Sequence, residues 1–240
     1  KGFSGVVGVD EAGRGCLAGP VVAGAALLPV DFFGKASNRK RCGEVNDSKQ
    51  LDESKREELF DVLKTLREAN ELWLATGEAS VEEIESENVV GATCLAMRRA
   101  MERLAENCDD LWNPRKRDEA DGLFASNKNG DDWLVLGDGR FMKRLPFVHE
   151  GLVKGDSLSL AVAMASIAAK VTRDRKMRKL AKLHPSYDFA SNKGYGAPKH
   201  LQALRDHGPT MHHRPRFLQK ILRSNEPSPE ESRQTRLSFD

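Results

Sequence analysis

An α/β domain with a helical C-terminal appendage is the fold class this sequence predicts. Apolar, β-branched runs occur at residues 3–9, 21–28, 72–77 and 133–137, amphipathic helical stretches separate several of them, and the pattern after residue 155 is helical. The 240 residues suffice to bury one substantial core, or one domain with an appended subdomain. At 39% hydrophobic and 31% charged residues, the composition excludes a disordered or fibrous chain. Lys and Arg number 38 against 36 Asp and Glu, so the molecule is no polycation, and contact with a polyanion would need a local basic face.

In chain order, the first run ends at Asp10-Glu11, where the strand is expected to stop, and a glycine-rich turn (Ala12-Gly13-Arg14-Gly15) follows. Residues 21–28 are apolar on both faces and read as a buried second strand, antiparallel to the first. Residues 31–46 look like a loop, and residues 46–50 like a polar turn. From Asp52 the pattern is an amphipathic helix, with Leu59, Phe60, Val62, Leu63 and Leu66 on one side. Residues 72–77 are a third strand. Ser80 and Glu83 have the spacing of a capping box that opens a helix, and a longer helix is expected over 91–104. Residues 107–132 are polar and read as a surface insertion. Residues 133–137 form another buried strand, closed by Asp138-Gly139. A helix then runs from Asp156 to Leu183, with Leu160, Ala163, Met164, Ile167 and Val171 as its apolar stripe. Pro, His and Gly punctuate short helices up to residue 222, and the tail from Ser224 is expected to be disordered as far as Gln234.

The cysteines (Cys16, Cys42, Cys94 and Cys108) form no C-x-x-C pair and are expected to be reduced thiols of a cytosolic protein. No apolar stretch reaches the roughly 20 residues a membrane helix needs. No secretory signal is visible, and the absence of an initiator Met suggests that residues ahead of Lys1 fall outside this numbering. The spacings of His184, His200, His207, His212 and His213 fit no zinc signature, which favours structural or phosphate-contacting roles.

Acidic residues at strand ends carry the chemistry. Asp10-Glu11 and Asp138 each close an apolar strand, and Asp156 opens a helix, where an N-cap is the ordinary role. Open α/β sheets gather sites at strand ends, so two acidic strand ends suggest a shared site. Clustered carboxylates repel one another unless a hard divalent cation offsets their charge. Asp10 and Glu11 point to opposite faces of an extended strand, so both reach one cation only if the strand ends or bulges there. Each acid taken alone is an ordinary turn or cap residue.

The context of these acids resembles a known family. Residues 8–15 (Gly-Val-Asp-Glu-Ala-Gly-Arg-Gly) followed by Leu17-Ala18-Gly19-Pro20-Val21-Val22 resemble the opening signature of bacterial ribonuclease HII. Asp47-Ser48-Lys49-Gln50-Leu51, Asp138-Gly139, Lys154-Gly155-Asp156 through Asp174, Lys193-Gly194-Tyr195-Gly196 with His200, and His207-Gly208-Pro209 follow in that family's order, so the likeness runs from about Gly5 to Phe217. The sequence departs from the family pattern in the length of 107–132, in the extension at 31–45, and in Arg140, where asparagine is usual.

The resemblance implies a ribonuclease H-like mixed five-stranded sheet with flanking helices. It also implies a catalytic domain over 1–183, a helical substrate-binding subdomain over 184–223 and a flexible tail over 224–240. Asp10, Glu11, Asp138 and Asp156 would be the metal-binding quartet for two ions, Mg²⁺ or Mn²⁺. The implied reaction is hydrolysis, by metal-activated water, of the RNA strand of RNA–DNA hybrids and 5′ of ribonucleotides embedded in DNA, leaving 3′-hydroxyl and 5′-phosphate ends. Gly13, Arg14 and Gly15 would read the 2′-hydroxyl through the backbone, and Tyr195 would lie on the adjacent sugar. Lys49, Lys170 and Arg173 are expected at phosphates, although a solvated helix face suits Arg173 equally, and Asp174 is expected to orient Tyr195 or a basic neighbour.

The final residues, with Gln234, Leu237 and Phe239, resemble the peptide that docks on the bacterial sliding clamp. A cytoplasmic monomer with no membrane contact is expected. The rival readings are a ribonuclease H-like DNA nuclease of resolvase or integrase type, and a non-catalytic hybrid-binding protein. The Gly13–Gly15 loop with Tyr195 argues against the first, and an intact acidic quartet against the second.

Overall fold

Val6, Val7 and Val9 favour extended backbone, and the chain enters a strand, β1, at Gly5–Ala12. β1 pairs antiparallel with β2, Val21–Pro29, in unbroken register from Gly5 opposite Pro29 to Ala12 opposite Val22. The computed structural model describes residues 2–45, 51–117 and 133–223. The polar turn expected at 46–50 with Lys49, most of the insertion expected at 107–132, and the tail with Gln234, Leu237 and Phe239 lie outside the described residues.

β3, Trp73–Ala79, pairs antiparallel with β2. On the other side β4, Trp133–Asp138, runs parallel to β1, and the short β5, Glu150–Leu152, runs parallel to β4. The order β3-β2-β1-β4-β5 is the mixed five-stranded sheet the resemblance implied.

Several expectations need correction. β1 neither stops nor bulges at Asp10, because β2 carries its ladder on to Ala12; the pairing with β4 is what ends, at Val9 opposite Gly137. β4 is mostly half-buried, since only three residues of β5 flank its outer side. The loop expected at 31–46 contains a 3-10 turn at Val30–Gly34 and a helix, α1, at Ala36–Arg41; Phe32, Cys42 and Val45 pack into the core from a run too short to show a period.

The helix α2, Glu53–Glu68, is capped by Asp52, which accepts from the Lys55 N–H at 2.7 Å. Ser80 and Glu83 form the expected capping box at the head of α3, Val81–Glu106. The two helices read from the sequence are halves of this kinked element. Asn88 breaks it with φ 57° and re-caps the second half, accepting from the Val90 and Gly91 N–H groups at 3.0 and 3.3 Å. The helix expected from Asp156 to Leu183 is also two pieces, α4 at Gly155–Leu158 and α5 at Leu160–Leu183, separated by an extended Ser159. A 3-10 turn at Pro185–Tyr187 and the helices α6 (Phe189–Asn192), α7 (Pro198–His207) and α8 (Pro215–Arg223) complete the described chain.

α3 covers one face of the sheet, packing Met97 and Leu104 with Val7 and Val9. α5 and α2 cover the other, where Ile167 and Leu63 join Leu28. α5 lies very close to the strands. A Cβ at Gly8 would sit 2.2 Å from the Ala161 carbonyl carbon, and one at Gly24 would sit 2.1 Å from the Ala165 oxygen. This intimacy explains why residues 161–169 are buried nearly all round the helix, beyond the single stripe expected. A third cluster joins Leu17 and Ala18 of the β1–β2 connection and Met177 of α5 to Tyr187, Phe189, Leu204 and Leu218. No helix among the described residues is long and apolar enough to cross a membrane.

Candidate active site

Alternation along β1 sorts its two acids. Val7 and Val9 face α3, whereas Gly8 faces α5; Asp10 follows Gly8's side, and Glu11 follows the valines. Asp10 is therefore directed under α5, where Ser166 supplies a side-chain hydrogen bond. Asp138 ends β4 next to it, past the last β1–β4 pair, and its Oδ1 accepts from the Gly155 N–H at 2.7 Å. That bond draws in the first turn of α4, which carries Asp156. The cap expected of Asp156 falls instead on Lys154, held in the left-handed region at φ 60°, and Asp156 lies in the first turn of α4.

Ligand-capable oxygens of Asp10, Asp138 and Asp156 lie within 4.8 Å of one another. Asp10 and Asp156 are buried, at 2% and 4% exposure, and Asp138 is half-buried. Burial, then the neighbouring Glu11 and Asp138 charges, push the Asp10 carboxyl up to about 8. Its Oδ2 has no hydrogen-bond partner among the described residues. A buried, partnerless carboxylate oxygen facing two further carboxylates fits a hard divalent cation. Glu11 stands outside this trio, on the other face of β1 with its Oε1 3.6 Å from Arg14 Nη1.

Beside the acids the chain turns at Gly13, with φ 90°, where a Cβ would meet Arg173 Nε at 1.9 Å. At Gly15 a Cβ would meet nothing within 4 Å, so this part of the loop borders open space. The loop's far end is fastened to the segment holding Tyr195: the Gly194 carbonyl accepts from the Leu17 and Ala18 N–H groups at 2.8 and 3.3 Å. The Tyr195 side chain is 47% exposed and hydrogen-bonds Cys16, the residue after Gly15. The glycine loop and Tyr195, widely separated in sequence, thus form one continuous surface.

Lys170 is half-buried and donates to Asp174 Oδ1 at 2.8 Å, while Arg56 approaches Asp174 Oδ2 at 3.9 Å, so Asp174 holds basic neighbours. Arg173 is neither at an open phosphate site nor on a solvated face. It is 1% exposed and donates to the Pro20, Lys193 and Ala18 carbonyls at 3.0, 2.8 and 3.1 Å. Its place seven residues after Ser166 puts it on the inward face of α5, a spacing that could have revealed its burial.

Arg214 was missed entirely in the sequence. It is fully buried and donates to the Gly13, Arg14 and Gly19 carbonyls, and nothing in Arg214-Pro215-Arg216 signals this. His200 and His213 are buried, with their Nε2 atoms 3.0 Å apart.

A family model described as ribonuclease HII matches residues 7–112 and 140–220, which takes in Asp10, Asp156 and Tyr195 and leaves Asp138 in the gap between the two blocks. The chain is 41% identical to a ribonuclease HII of Fusobacterium nucleatum over 93% of its own length and 90% of the relative's. It is 42% identical to one of Thermosynechococcus vestitus, over 93% and 88%. Two solved structures share its fold. One, at TM-score 0.62 and 20% identity, covers 88% of this chain and 93% of its own and is described as the PCNA:RNase HII complex from Archaeoglobus fulgidus. The other is ribonuclease H2 from Pyrococcus horikoshii, at TM-score 0.59 and 24% identity, covering 90% and 96%. The chain therefore belongs to the ribonuclease HII family and is an enzyme of the ribonuclease H type.

Proposed function

We propose that this enzyme hydrolyses the RNA strand of RNA–DNA hybrids and cuts on the 5′ side of ribonucleotides embedded in duplex DNA, leaving 3′-hydroxyl and 5′-phosphate ends. The reading rests on one observation: the carboxylates of Asp10 in β1, Asp138 at the end of β4 and Asp156 at the start of α4 meet beside a glycine loop and an exposed tyrosine that main-chain bonds tie together. Asp10, Asp138 and Asp156 would hold divalent cations, two in the reacting complex, with Glu11 adding charge from the other side of β1. An all-carboxylate set suits Mg²⁺ and Mn²⁺ alike. Such ions, when bound, lower the pKa of water and offset the charge that builds on a phosphodiester.

The remaining tasks fall to the chain. The open side of the loop at Gly15 lets a ribose approach the backbone, where a 2′-hydroxyl can both donate and accept. The Tyr195 ring offers a flat face to the neighbouring sugar, favouring a deoxyribose there. Lys49 and Lys170 serve phosphates, and the buried Arg173 and Arg214 guanidiniums add positive potential without touching them. The deciding experiment follows cleavage of a duplex with one embedded ribonucleotide against an all-DNA duplex in Mg²⁺ and in Mn²⁺. Equal cleavage of the two would overturn the reading.

Within this proposal the enzyme acts in ribonucleotide removal and primer processing, as a monomer of the cytoplasm. The four buried free cysteines suit a reducing compartment. We extend the proposal to the sliding clamp, through Gln234, Leu237 and Phe239, because the spacing is that of a clamp-docking peptide and a fold relative is described as a complex with PCNA.

A further inference from the structure

Residues 212–214 lie against residues 17–19 as an added piece of ladder. The Gly19 N–H donates to the His212 carbonyl at 2.8 Å, the Arg214 N–H donates to Leu17 at 2.8 Å, and Ala18 and His213 form an isolated bridge. From this splice two adjacent side chains reach in different directions.

Arg214 reaches the glycine loop. Its Nη2 donates to Gly13 at 2.8 Å and to Gly19 at 2.7 Å, its Nε to Gly19 at 2.9 Å, and its Nη1 to Arg14 at 3.1 Å. Among the described residues no carboxylate lies within ion-pair distance of it. A buried guanidinium facing carbonyls and the Phe217 ring, 5.4 Å away, with no carboxylate is a poor way to fill space, since an apolar side chain of similar volume would avoid the desolvation. A rigid fork of donors is what three differently placed carbonyls require.

His213 reaches towards Tyr195. The Thr210 N–H can only donate, at 2.9 Å, so His213 Nδ1 accepts and its proton sits on Nε2. That proton is donated across 3.0 Å to His200 Nε2, leaving His200 with its proton on Nδ1, which donates to the Tyr195 carbonyl at 2.7 Å. One backbone donor at Thr210 fixes every proton in the chain, and the chain ends on the residue whose ring faces the substrate.

We propose that His213 and Arg214 are positioning residues that lock the Gly13–Gly15 loop and Tyr195 into one register, and so set the enzyme's discrimination of a ribonucleotide next to a deoxyribonucleotide. This rests on the ribonuclease reading above. Arg214 serves the loop, which every ribonucleotide-containing substrate uses. The histidine relay serves Tyr195, which matters most where the adjacent sugar is a deoxyribose. The two arms therefore have different signatures.

The test compares Arg214→Lys and His200→Phe with the wild type on three duplexes: one embedded ribonucleotide, a long RNA–DNA hybrid, and all-DNA for binding only. Arg214→Lys should lower kcat/KM on both cleavable duplexes by about 10- to 100-fold, chiefly through kcat, with affinity for all-DNA duplex changed less than about twofold. His200→Phe should shift the ratio of single-ribonucleotide to long-hybrid cleavage by about tenfold against the embedded ribonucleotide. Wild-type rates and ratios in both variants would overturn the proposal while leaving the ribonuclease reading intact. A parallel fall in all three readings together with Tm would overturn it too, by reducing these residues to scaffold. Should Arg214→Lys fail to fold, the ratio in His200→Phe decides alone. Equal cutting of all-DNA and ribonucleotide-containing duplexes by the wild type would be a failure of the underlying reading, seen before any variant is made.

Discussion

A carboxyl held at about 8 inside a trio of acids makes Asp10 the most consequential single residue. In metal-free protein its folded value lies above the ordinary 3.8, so between roughly pH 4 and pH 8 the folded state keeps a proton that the unfolded chain has lost. The stability owed to that proton is complete below about pH 4 and disappears as pH rises towards 8. Asp10→Asn removes the titration. In the presence of a chelator at pH 8 the variant should melt higher than wild type by on the order of 10 °C, and the gap should close near pH 4, as differential scanning fluorimetry would show. With Mg²⁺ or Mn²⁺ the same variant should bind hybrid yet cleave it at least about 10³-fold more slowly; normal cleavage would remove Asp10 from the site. Asp10 was legible because it follows an apolar run, Asp138 because it closes an apolar strand, and Asp156 because of the Lys154-Gly155 context. The division between Asp10 and Glu11 was stated only as a condition on strand geometry. The ladder partner β2 keeps β1 regular through Ala12, so the two acids lie on opposite faces of the strand.

At the scale of elements, α5 is held against the sheet by the absence of side chains at Gly8 and Gly24. Gly8→Ala would place a methyl 2.2 Å from the Ala161 carbonyl carbon, which helix backbone cannot yield cheaply. A loss of about 3 kcal/mol in urea unfolding is expected, with cleavage reduced further than stability alone explains, because Ser166 on the displaced helix bonds Asp10. The histidine relay makes an opposite, acid-side prediction. Burial, and next the facing His200 charge, hold His213 at about 4 against an ordinary 6.5, with His184 and His212 adding smaller repulsions. Its neutral form therefore contributes stability that is whole above about pH 6.5 and is lost as pH falls towards 4, roughly 3 kcal/mol in all. His213→Asn should flatten the Tm-versus-pH curve in that window; an unchanged slope would mean that His213 is not buried neutral. Neither feature was visible in the sequence. Gly8 of β1 and Gly24 of β2 sit unmarked within apolar strand runs, and five histidines with no metal spacing gave no hint that two of them face each other.

For the whole molecule, near-zero net charge with localised basic groups predicts binding to nucleic acid that weakens steeply with salt. Affinity for a short hybrid should fall at least about tenfold between 50 and 200 mM NaCl, measured by fluorescence anisotropy. Double substitution of Leu237 and Phe239 by Ala should abolish co-elution with a bacterial sliding clamp while short-duplex cleavage stays at wild-type levels; retained co-elution would assign the clamp contact elsewhere. Fold class, four of the strands and the antiparallel pairing of the first two were legible because strand and helix periods differ, whereas the short β5 and the strand order were not read from the residues. The convergence of the two chain ends was not, because no local pattern reports which carbonyls a distant arginine will meet.

That convergence has a consequence for biosynthesis. The guanidinium that fixes Gly13 comes from a residue 201 positions later, so a chain still emerging from the ribosome has all three clustered acids long before the glycine loop beside them is fastened. Growing polypeptide in that state would carry the acidic trio without the loop fixed beside it. Selective cutting would start only after the segment around Arg214 has been released and has folded back onto the loop at Gly13, and the long loop this closes should make it a late, slow step.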